Sequence, residues 1–500
     1  MSETPRHGPS APPTALPIYV DLDGTLTRAD TLWESWAQGL RDKPFSAVLT
    51  LAAGLASAMI GGNAARARFK ATLAERFPLT RPESLPRNEE LIAWLRQEKA
   101  QGRTVILATA ADARTAAAAT HGLDLFDDML ASRDGINLKG AAKRDAITRD
   151  AAARGAAGFA YAGNDRADLP IWQAAGEVIV AWPSAAFGQR VQHENAGKPL
   201  RMFGKAQDDL RDWLRLVRIH QWAKNLLLFL PLLAAHITTA APWLTALMGF
   251  VAFGLVASAT YLVNDLHDLT SDRIHPRKRR RPLAAGSIGI PQAITATLLL
   301  GAAGAVMAAL VSPLFLGILG LYTLTTLSYS AVLKRKSFID VLTLAGLYTL
   351  RIFAGAVAAG IAVSNWLLAL SIFLFLSLAL VKRCAELEDL SRTGEISVAG
   401  RGYEVQDLPY LRVMGIASGF MAVLVLALYI DRPQVAELYG EPQLLWLVLP
   451  VVLAWIMRLW LETSRGRMHD DPLVYALRDP FSWGVGASIL GIGIAATVSR

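Results

Sequence analysis

The chain has 500 residues, of which 53% are hydrophobic and 18% charged, and carries a net charge of +8. That is more apolar than a soluble protein of this length, and long enough for two or three domains; a single cysteine, Cys384, excludes an intrachain disulfide. The cations gather at the ends of apolar runs, so a membrane accounts for them better than nucleic acid does.

Residues 1–16 are rich in Pro and Ser and have no apolar core. They read as a flexible tail, not a signal peptide, which leaves the domain behind them in the cytoplasm. Residues 17–183 then read as a soluble α/β domain. An apolar strand, Ile18, Tyr19 and Val20, delivers Asp21 and Asp23, followed by Gly24 and Thr25. Both acids fall at the carboxyl end of a strand, where open α/β sheets bind ligands. Residues 28 to about 95 read as a cap inserted after that strand. Within it, the apolar run 45–60 is short for a bilayer crossing and reads as a cap helix or one lying on a membrane. Arg66, Arg68 and Lys70 follow it, either to meet anionic lipid or as a solvated face behind a buried one. A second strand, 105–108, ends in the hydroxyl of Thr109. Lys139 and Lys143 lie near a helix start, and a strand at 159–163 runs into Asn164, Asp165 and Asp168.

These elements, in this order, resemble the haloacid dehalogenase (HAD) superfamily, in the branch that includes phosphoserine phosphatase. The resemblance implies a Rossmann-like α/β fold with a small helical cap. It makes Asp21 the nucleophile and Asp23 the general acid and base. Thr109 and Lys143 would hold phosphate oxygens, with Lys139 the alternative lysine. Mg²⁺ would be held by Asp21, the Asp23 backbone carbonyl, Asn164 and Asp168. One departure stands out: Asn164 occupies a position usually filled by Asp, which lowers the expected metal affinity unless Asp165 compensates.

Residues 184–212 are polar and read as a linker, and an all-α membrane bundle is expected over 213–500. Nine apolar spans lie near 225–241, 243–263, 291–311, 313–332, 340–360, 366–383, 411–430, 443–461 and 481–498. If the first enters from the cytoplasm, the loops at 264–290, 333–339, 382–410 and 462–480 are cytoplasmic. They hold Arg273, the run 277–281, Lys334, Lys382, Arg383, Arg401, Arg465 and Arg478, whereas the opposite loops hold only Arg432. That asymmetry is the positive-inside rule.

At the end of the second span Asp265, Asp268 and Asp272 are spaced i, i+3, i+7, which places them on one face of a continuous helix. Carboxylates at that spacing hold a divalent metal, and the adjoining cations Lys278 and Arg281 suit phosphate oxygens. Other polar groups recur at the same mouth: Arg218, Gln221, Lys224 and Asn225 before the first span, Tyr329 and Lys334 at the fourth, and Lys382, Arg383 and Glu386 at the sixth. Arg351 lies in the middle of the fifth span, too deep to stay charged unless it faces a cavity or a partner acid.

Residues 211–500 therefore resemble the UbiA superfamily of intramembrane prenyltransferases, whose first acidic motif matches Asn264, Asp265, Asp268 and Asp272. Within it they are most similar to the decaprenyl-phosphate phosphoribosyltransferase branch, on four features. These are Arg218 to Asn225 (with Gln221 and Lys224), the extension through Lys278 and Arg281, the pair Tyr329 and Lys334, and Lys382-Arg383 with Glu386. The resemblance implies a reaction of phosphoribosyl pyrophosphate with a polyprenyl phosphate. Asn264, Asp265, Asp268 and Asp272 would hold Mg²⁺ on the leaving pyrophosphate, and Lys224, Lys278, Arg281, Lys334, Lys382 and Arg383 would neutralise phosphate oxygens. The HAD-like half would then remove the 5-phosphate of the product, toward a lipid-linked arabinofuranose donor. Two rivals stand beside this reading: an aromatic prenyltransferase using a polyprenyl diphosphate, and a lipid-binding protein with a degenerate regulatory domain. The basic Lys382-Arg383 pair, where a second aspartate motif is usual, weighs against the first.

Overall fold

A computed structural model of the chain describes residues 16–133, 135–204, 209–393, 401–436, 439–468 and 471–498. All but Leu16 of the expected tail lies outside them. Contacts divide the chain into two units. One comprises the described residues up to Leu216 together with Asp265–Thr295; the other comprises Val217–Asn264 and the described residues from Ala296 on.

In the first unit β1 (Ile18–Val20) is followed by four helices, α1 (Thr31–Asp42), α2 (Pro44–Ile60), α3 (Gly62–Arg76) and α4 (Glu89–Ala100). Strands and helices then alternate: β2 (Val105–Asp112), α5 (Ala113–Thr120), β3 (Asp128–Ser132), α6 (Ala141–Ala153), β4 (Ala160–Gly163), α7 (Leu169–Ala174), β5 (Glu177–Ala181), α8 (Ala185–Glu194) and β6 (Leu200–Phe203). The six strands form one parallel sheet in the order β3-β2-β1-β4-β5-β6. The central strands β1 and β4 are buried throughout, as a parallel sheet covered on both faces requires. Strand order reverses between them, which opens a crevice beyond their carboxyl ends.

Two expected boundaries move. Leu91, Ile92 and Leu95 of α4 are buried in the core of the sheet, so the cap is α1–α3 and ends before α4. The segment expected as linker contains α8 and β6. Val178 and Ile179 of β5 pair with Leu200 and Arg201 of β6, which makes β6 an edge strand of the sheet. Its short length and polar flanks hid it, because periodicity needs more residues than a four-residue strand supplies.

Beyond α9 (Asp209–Val217) the backbone turns at Arg218, in the left-handed region with φ 55°, into a 3-10 helix, Ile219–Phe229. The helices that follow are α10 (Leu230–Ala234), α11 (Ala240–His267), α12 (Leu269–Ile274), α13 (Ile290–Val311), α14 (Pro313–Ala331), α15 (Ile339–Ala359), α16 (Asn365–Thr393), α17 (Leu408–Ile430), α18 (Pro433–Ala436), α19 (Val448–Ser464), α20 (Pro472–Arg478) and α21 (Pro480–Val498). Among the described residues eight helical segments, the first Ala240–His267 and the last Pro480–Thr497, are long and apolar enough to cross a membrane. This is an integral membrane protein.

The expected span at 225–241 is not one of the eight. Pro231 lacks the N–H that would continue the helix from the 3-10 segment, and His236 takes a left-handed φ of 51°. The 3-10 segment lies hard against α15. A Cβ added at Gly355 would fall 2.0 Å from the Leu228 carbonyl oxygen, so glycine is required for that approach.

The acidic block is not on one helix either. α11 ends at His267, and Asp268 stands at the N-cap position of α12, with no capping hydrogen bond to its side chain. Arg273, just past this block, makes a two-pronged ion pair with Glu34 of α1, at 2.6 and 2.7 Å, and donates to the Ala284 carbonyl at 3.1 Å. Both side chains of the pair are only 5% exposed. A buried charge stripped of its partner is costly, whereas an apolar pair of similar volume is often neutral. Glu34→Ala is therefore expected to destabilise the first unit by about 3–5 kcal/mol. Glu34→Met combined with Arg273→Met should recover most of that loss in thermal unfolding of the full-length protein.

Candidate active sites

The first site lies at the switch point of the sheet. Asp21 follows β1, and its N–H donates to the Ala162 carbonyl of β4 at 2.9 Å. Asn164 follows β4, so the register of the two central strands brings the residues after them together. Gly24, at φ +73°, makes this possible: a Cβ there would lie 2.2 Å from the Asn164 amide nitrogen. The Lys143 ammonium, on α6, is 2.9 Å from the Asp21 carboxylate and 3.2 Å from the Tyr161 hydroxyl. That hydroxyl donates to Asp168 at 2.8 Å, and the other Asp168 oxygen accepts the Asn164 and Asp165 N–H groups at 3.0 and 3.1 Å. Asp23 accepts the N–H of Thr31, the first residue of α1, at 2.8 Å.

Burial raises the Asp21 carboxyl to about 6 in spite of Lys143. Burial, with Asp30 adding repulsion, raises Asp23 to about 7. The pair is thus a carboxylate beside a cation and a carboxyl able to keep a proton near neutrality. That arrangement suits covalent capture of a phosphoryl group followed by proton delivery.

A cavity of about 310 Å³ opens here, lined by Asp21, Asp23, Lys139, Lys143, Asn164 and Asp168 among others. Thr109 is not in its wall. It is fully buried inside β2, and its hydroxyl accepts from the Ala111 N–H at 3.0 Å. Lys70 is in the wall, not on the lipid-facing or solvated surface expected of it: its ammonium donates to the Ala110 carbonyl at 2.6 Å and to Asn137 at 3.0 Å. Nothing in the α3 sequence separates Lys70 from Arg66 and Arg68; only the turn of the helix does.

The acidic block makes the second constellation, within the same unit. Arg281 reaches Asp265 at 3.1 Å and Asp272 at 2.5 Å through one nitrogen, and Lys278 lies 3.8 Å from Asp272. Burial raises the Asp272 carboxyl, opposed by these two cations. Arg281, expected to hold substrate phosphate, instead neutralises the acids. Two carboxylates converging on one cationic nitrogen mark a point where positive charge is held, and the oxygen donors suit Mg²⁺. Among the described residues no three His, Cys, Asp or Glu side chains form a ready metal cluster.

The third constellation belongs to the second unit. A cavity of about 180 Å³ is lined by Lys224, Asn264, Tyr329, Arg351, Lys382, Arg401 and Asp471 among others. Lys224 and Lys382 meet at Asp471, at 2.7 and 3.5 Å, and the Tyr348 hydroxyl donates to the same carboxylate at 3.1 Å. Burial alone would raise Asp471, yet Lys224 and Lys382 hold it at about 2. Arg351 faces the cavity and donates to Asn225 at 3.1 Å, to Tyr322 at 2.9 Å and to the Leu347 carbonyl at 2.8 Å, so its partners are neutral oxygens.

Several expected residues lie outside this wall. Arg383 is fully buried, 2.8 Å from Asp340, and pairs with Glu386. Both belong to a structural network in which Tyr403 donates to Asp340 at 2.6 Å. Arg218 stacks over the Tyr261 ring at 4.9 Å, while Gln221 and Lys334 are not in the wall. Asp471 escaped sequence reasoning because its carboxylate also accepts the Leu473 N–H at 3.2 Å, an ordinary cap at the start of α20.

The model of the UbiA prenyltransferase family matches residues 225–478, and that of haloacid dehalogenase-like hydrolases matches residues 18–173. The uncharacterized protein y4nM of Sinorhizobium fredii is 35% identical over 95% of this chain and 90% of its own length. Nodulation protein NoeC of Azorhizobium caulinodans is 36% identical over 55% of this chain and 89% of its own. Decaprenyl-phosphate phosphoribosyltransferase of Mycobacterium tuberculosis is 34% identical over 53% of this chain and 87% of its own. A solved structure of a UbiA homolog from Archaeoglobus fulgidus, bound to GPP and Mg²⁺, aligns with 57% of this chain and 99% of its own at TM-score 0.45 and 18% identity.

If Asn164 limits metal binding at the first site, an added carboxylate there should tighten it, since cation affinity follows ligand charge. Asn164→Asp is expected to lower the Mg²⁺ concentration for half-maximal thermal stabilisation about tenfold. An unchanged midpoint would remove Asn164 from the metal's surroundings.

Proposed function

Because the chain belongs to the UbiA prenyltransferase family and carries a haloacid dehalogenase-like hydrolase domain ahead of it, we propose that it performs two successive steps on one lipid. In the first, a phosphate oxygen of a polyprenyl phosphate attacks the ribose carbon of 5-phosphoribosyl pyrophosphate, and pyrophosphate leaves. In the second, the 5-phosphate of the lipid-linked product is removed. The observation that carries the first step is the cavity of the second unit. It gathers Lys224, Arg351, Lys382 and Arg401 around a space suited to anionic groups. Similarity to the mycobacterial phosphoribosyltransferase supports the same assignment.

Lys224 and Lys382 are paired with Asp471. An incoming phosphate would compete for the same two ammonium groups, so the lysines are already oriented for an anion. Arg351, held by three neutral oxygens, keeps its full charge available to the cavity. Asn264, Asp265, Asp268 and Asp272 would hold Mg²⁺, whose charge offsets that of the leaving pyrophosphate. The acceptor is already anionic, so no strong base is needed. Four cations in the wall also disfavour a neutral aromatic acceptor.

For the second step Asp21 would attack the phosphorus, forming an aspartyl phosphate, while Asp23 protonates the leaving ribose oxygen. Asp23 then takes a proton from the water that releases phosphate, and Lys143 balances the charge beside Asp21. That y4nM aligns along 95% of this chain supports both halves acting in one polypeptide. Tethering would raise the local concentration of the lipid product at the second site. We place both sites on the cytoplasmic side. Among the described residues the loops around 268–289, 332–338, 393–404 and 465–479 alternate onto one face and hold nearly all the loop cations, and the hydrolase domain joins that face through the Glu34–Arg273 pair, which requires the broken segment 219–239 to carry the chain across as well.

Purified full-length protein with Mg²⁺, a polyprenyl phosphate and labelled phosphoribosyl pyrophosphate should yield labelled lipid, and Asp21→Asn should accumulate the 5-phosphorylated form. Labelled lipid that keeps its 5-phosphate in the unmodified enzyme would sink the second step. Activity only on a polyprenyl diphosphate with an aromatic acid would sink the first. Lys224→Met removes a charge-assisted contact and is expected to raise the donor KM about tenfold or more.

A further inference from the structure

One feature of the cap is not used by either reaction. Among the described side chains of α2, Phe45, Val48, Leu49, Ala52, Ala53 and Ala56 are exposed and form one continuous apolar stripe along the helix, with Pro44 and Ser57 exposed at its two ends. Phe45, Val48 and Leu49 are 86%, 53% and 70% exposed. The opposite face is well packed. Ala47 is fully buried and its carbonyl accepts from the Trp36 indole at 3.0 Å, while Thr50 accepts from Arg76 at 3.0 Å. A Cβ on Gly54 would strike the Phe69 ring at 2.0 Å, so α2 and α3 are in close contact. The stripe is therefore a surface left over once the helix has found its place in the cap. Nothing from 44 to 60 is charged, although Arg41, Lys43, Arg66 and Arg68 are exposed at its margins with Asp42 the one nearby acid of α1.

A stripe of this kind needs a partner, and three observations favour a lipid surface. First, the Glu34–Arg273 pair ties α1, the helix before α2, to a residue only six positions beyond His267, where the membrane-crossing α11 ends. At about 1.5 Å per helical residue that is about 9 Å of chain, so the cap is held close to a bilayer exit. Second, cations flanking an apolar face are the pattern of helices that lie in an anionic interface. Third, α2 has 17 residues and is too short to leave that plane by crossing the bilayer.

We infer that α2 is a lipid-facing helix of the phosphatase cap, seated in the anionic leaflet so that the cavity bounded by α1 and α3 takes phosphate esters carried on membrane lipids. The inference rests on the lipid-phosphatase reading for its substrate class, but the seating of α2 is separable from it. α1 and α3 supply Thr31, Ser35 and Lys70 to the cavity wall. Seating the cap at the interface would therefore bring a headgroup to Asp21 without withdrawing its lipid tail.

The test uses full-length protein in nanodiscs containing an anionic phospholipid. With the buried Cys384 replaced by alanine, single cysteines at Phe45, Leu49 and Ala52 carry a nitroxide, and one at Asp145 on α6 serves as a water-facing reference. Collisions with oxygen, which concentrates in lipid, should exceed those with a water-soluble nickel chelate at the three α2 positions and not at Asp145. Chelate-dominated collisions, or protection from both reagents by a covering protein surface, would overturn the seating. A second variant reads the substrate class: Val48→Asp with Leu49→Asp is expected to cut kcat/KM on a lipid-linked phosphate at least tenfold, with turnover of a soluble aryl phosphate within twofold. Equal loss on both substrates would refute the substrate class. If the label reports lipid but no lipid-linked phosphate is hydrolysed, the seating stands and the lipid-phosphatase reading is what fails.

Discussion

A charge taken out of water must meet an opposite charge or a set of hydrogen-bonding oxygens, and that requirement organises both units of this protein. Asp21 meets Lys143, Asp265 and Asp272 share Arg281, and Asp471 holds Lys224 beside Lys382. Each group is neutralised by the protein itself. On the function proposed above, a phosphate or a metal ion would enter by taking over one partner of such a pair. The buried Glu34–Arg273 pair obeys the same rule for a different end, fixing the acidic segment to a helix of the hydrolase domain's cap.

Pairing of this kind also explains why two chemistries coexist in one chain. The hydrolase domain sets Asp21 and its partner Lys143 in the wall of a cavity at the switch point between β1 and β4. The helices of the second unit hold cations in an apolar setting, where Arg351 is affordable only because Asn225, Tyr322 and the Leu347 carbonyl satisfy it. The first unit contains both the hydrolase sheet and the acidic segment that follows α11. The segment with the transferase signature is thus counted with the hydrolase sheet and not with the helices of the second unit.

The sequence by itself determined the two fold classes, because hydrophobic periodicity and span length are local properties. It placed Asp21 and Asp23 at a strand end, and it located the acidic block at the mouth of a span. It could not decide how Asp265, Asp268 and Asp272 meet, since a break at Asp268 is as compatible with their spacing as a straight helix. It could not expose Asp471, whose link to Lys224 spans 247 positions and whose local setting is that of a helix cap. Lys70 and Arg383 show the same limit from both sides. One cation of a surface-looking run turns into a cavity, and one cation of a site-looking pair turns away into a buried network. Which way a long side chain points depends on the partner that packing brings to it, and only the tertiary structure chooses that partner.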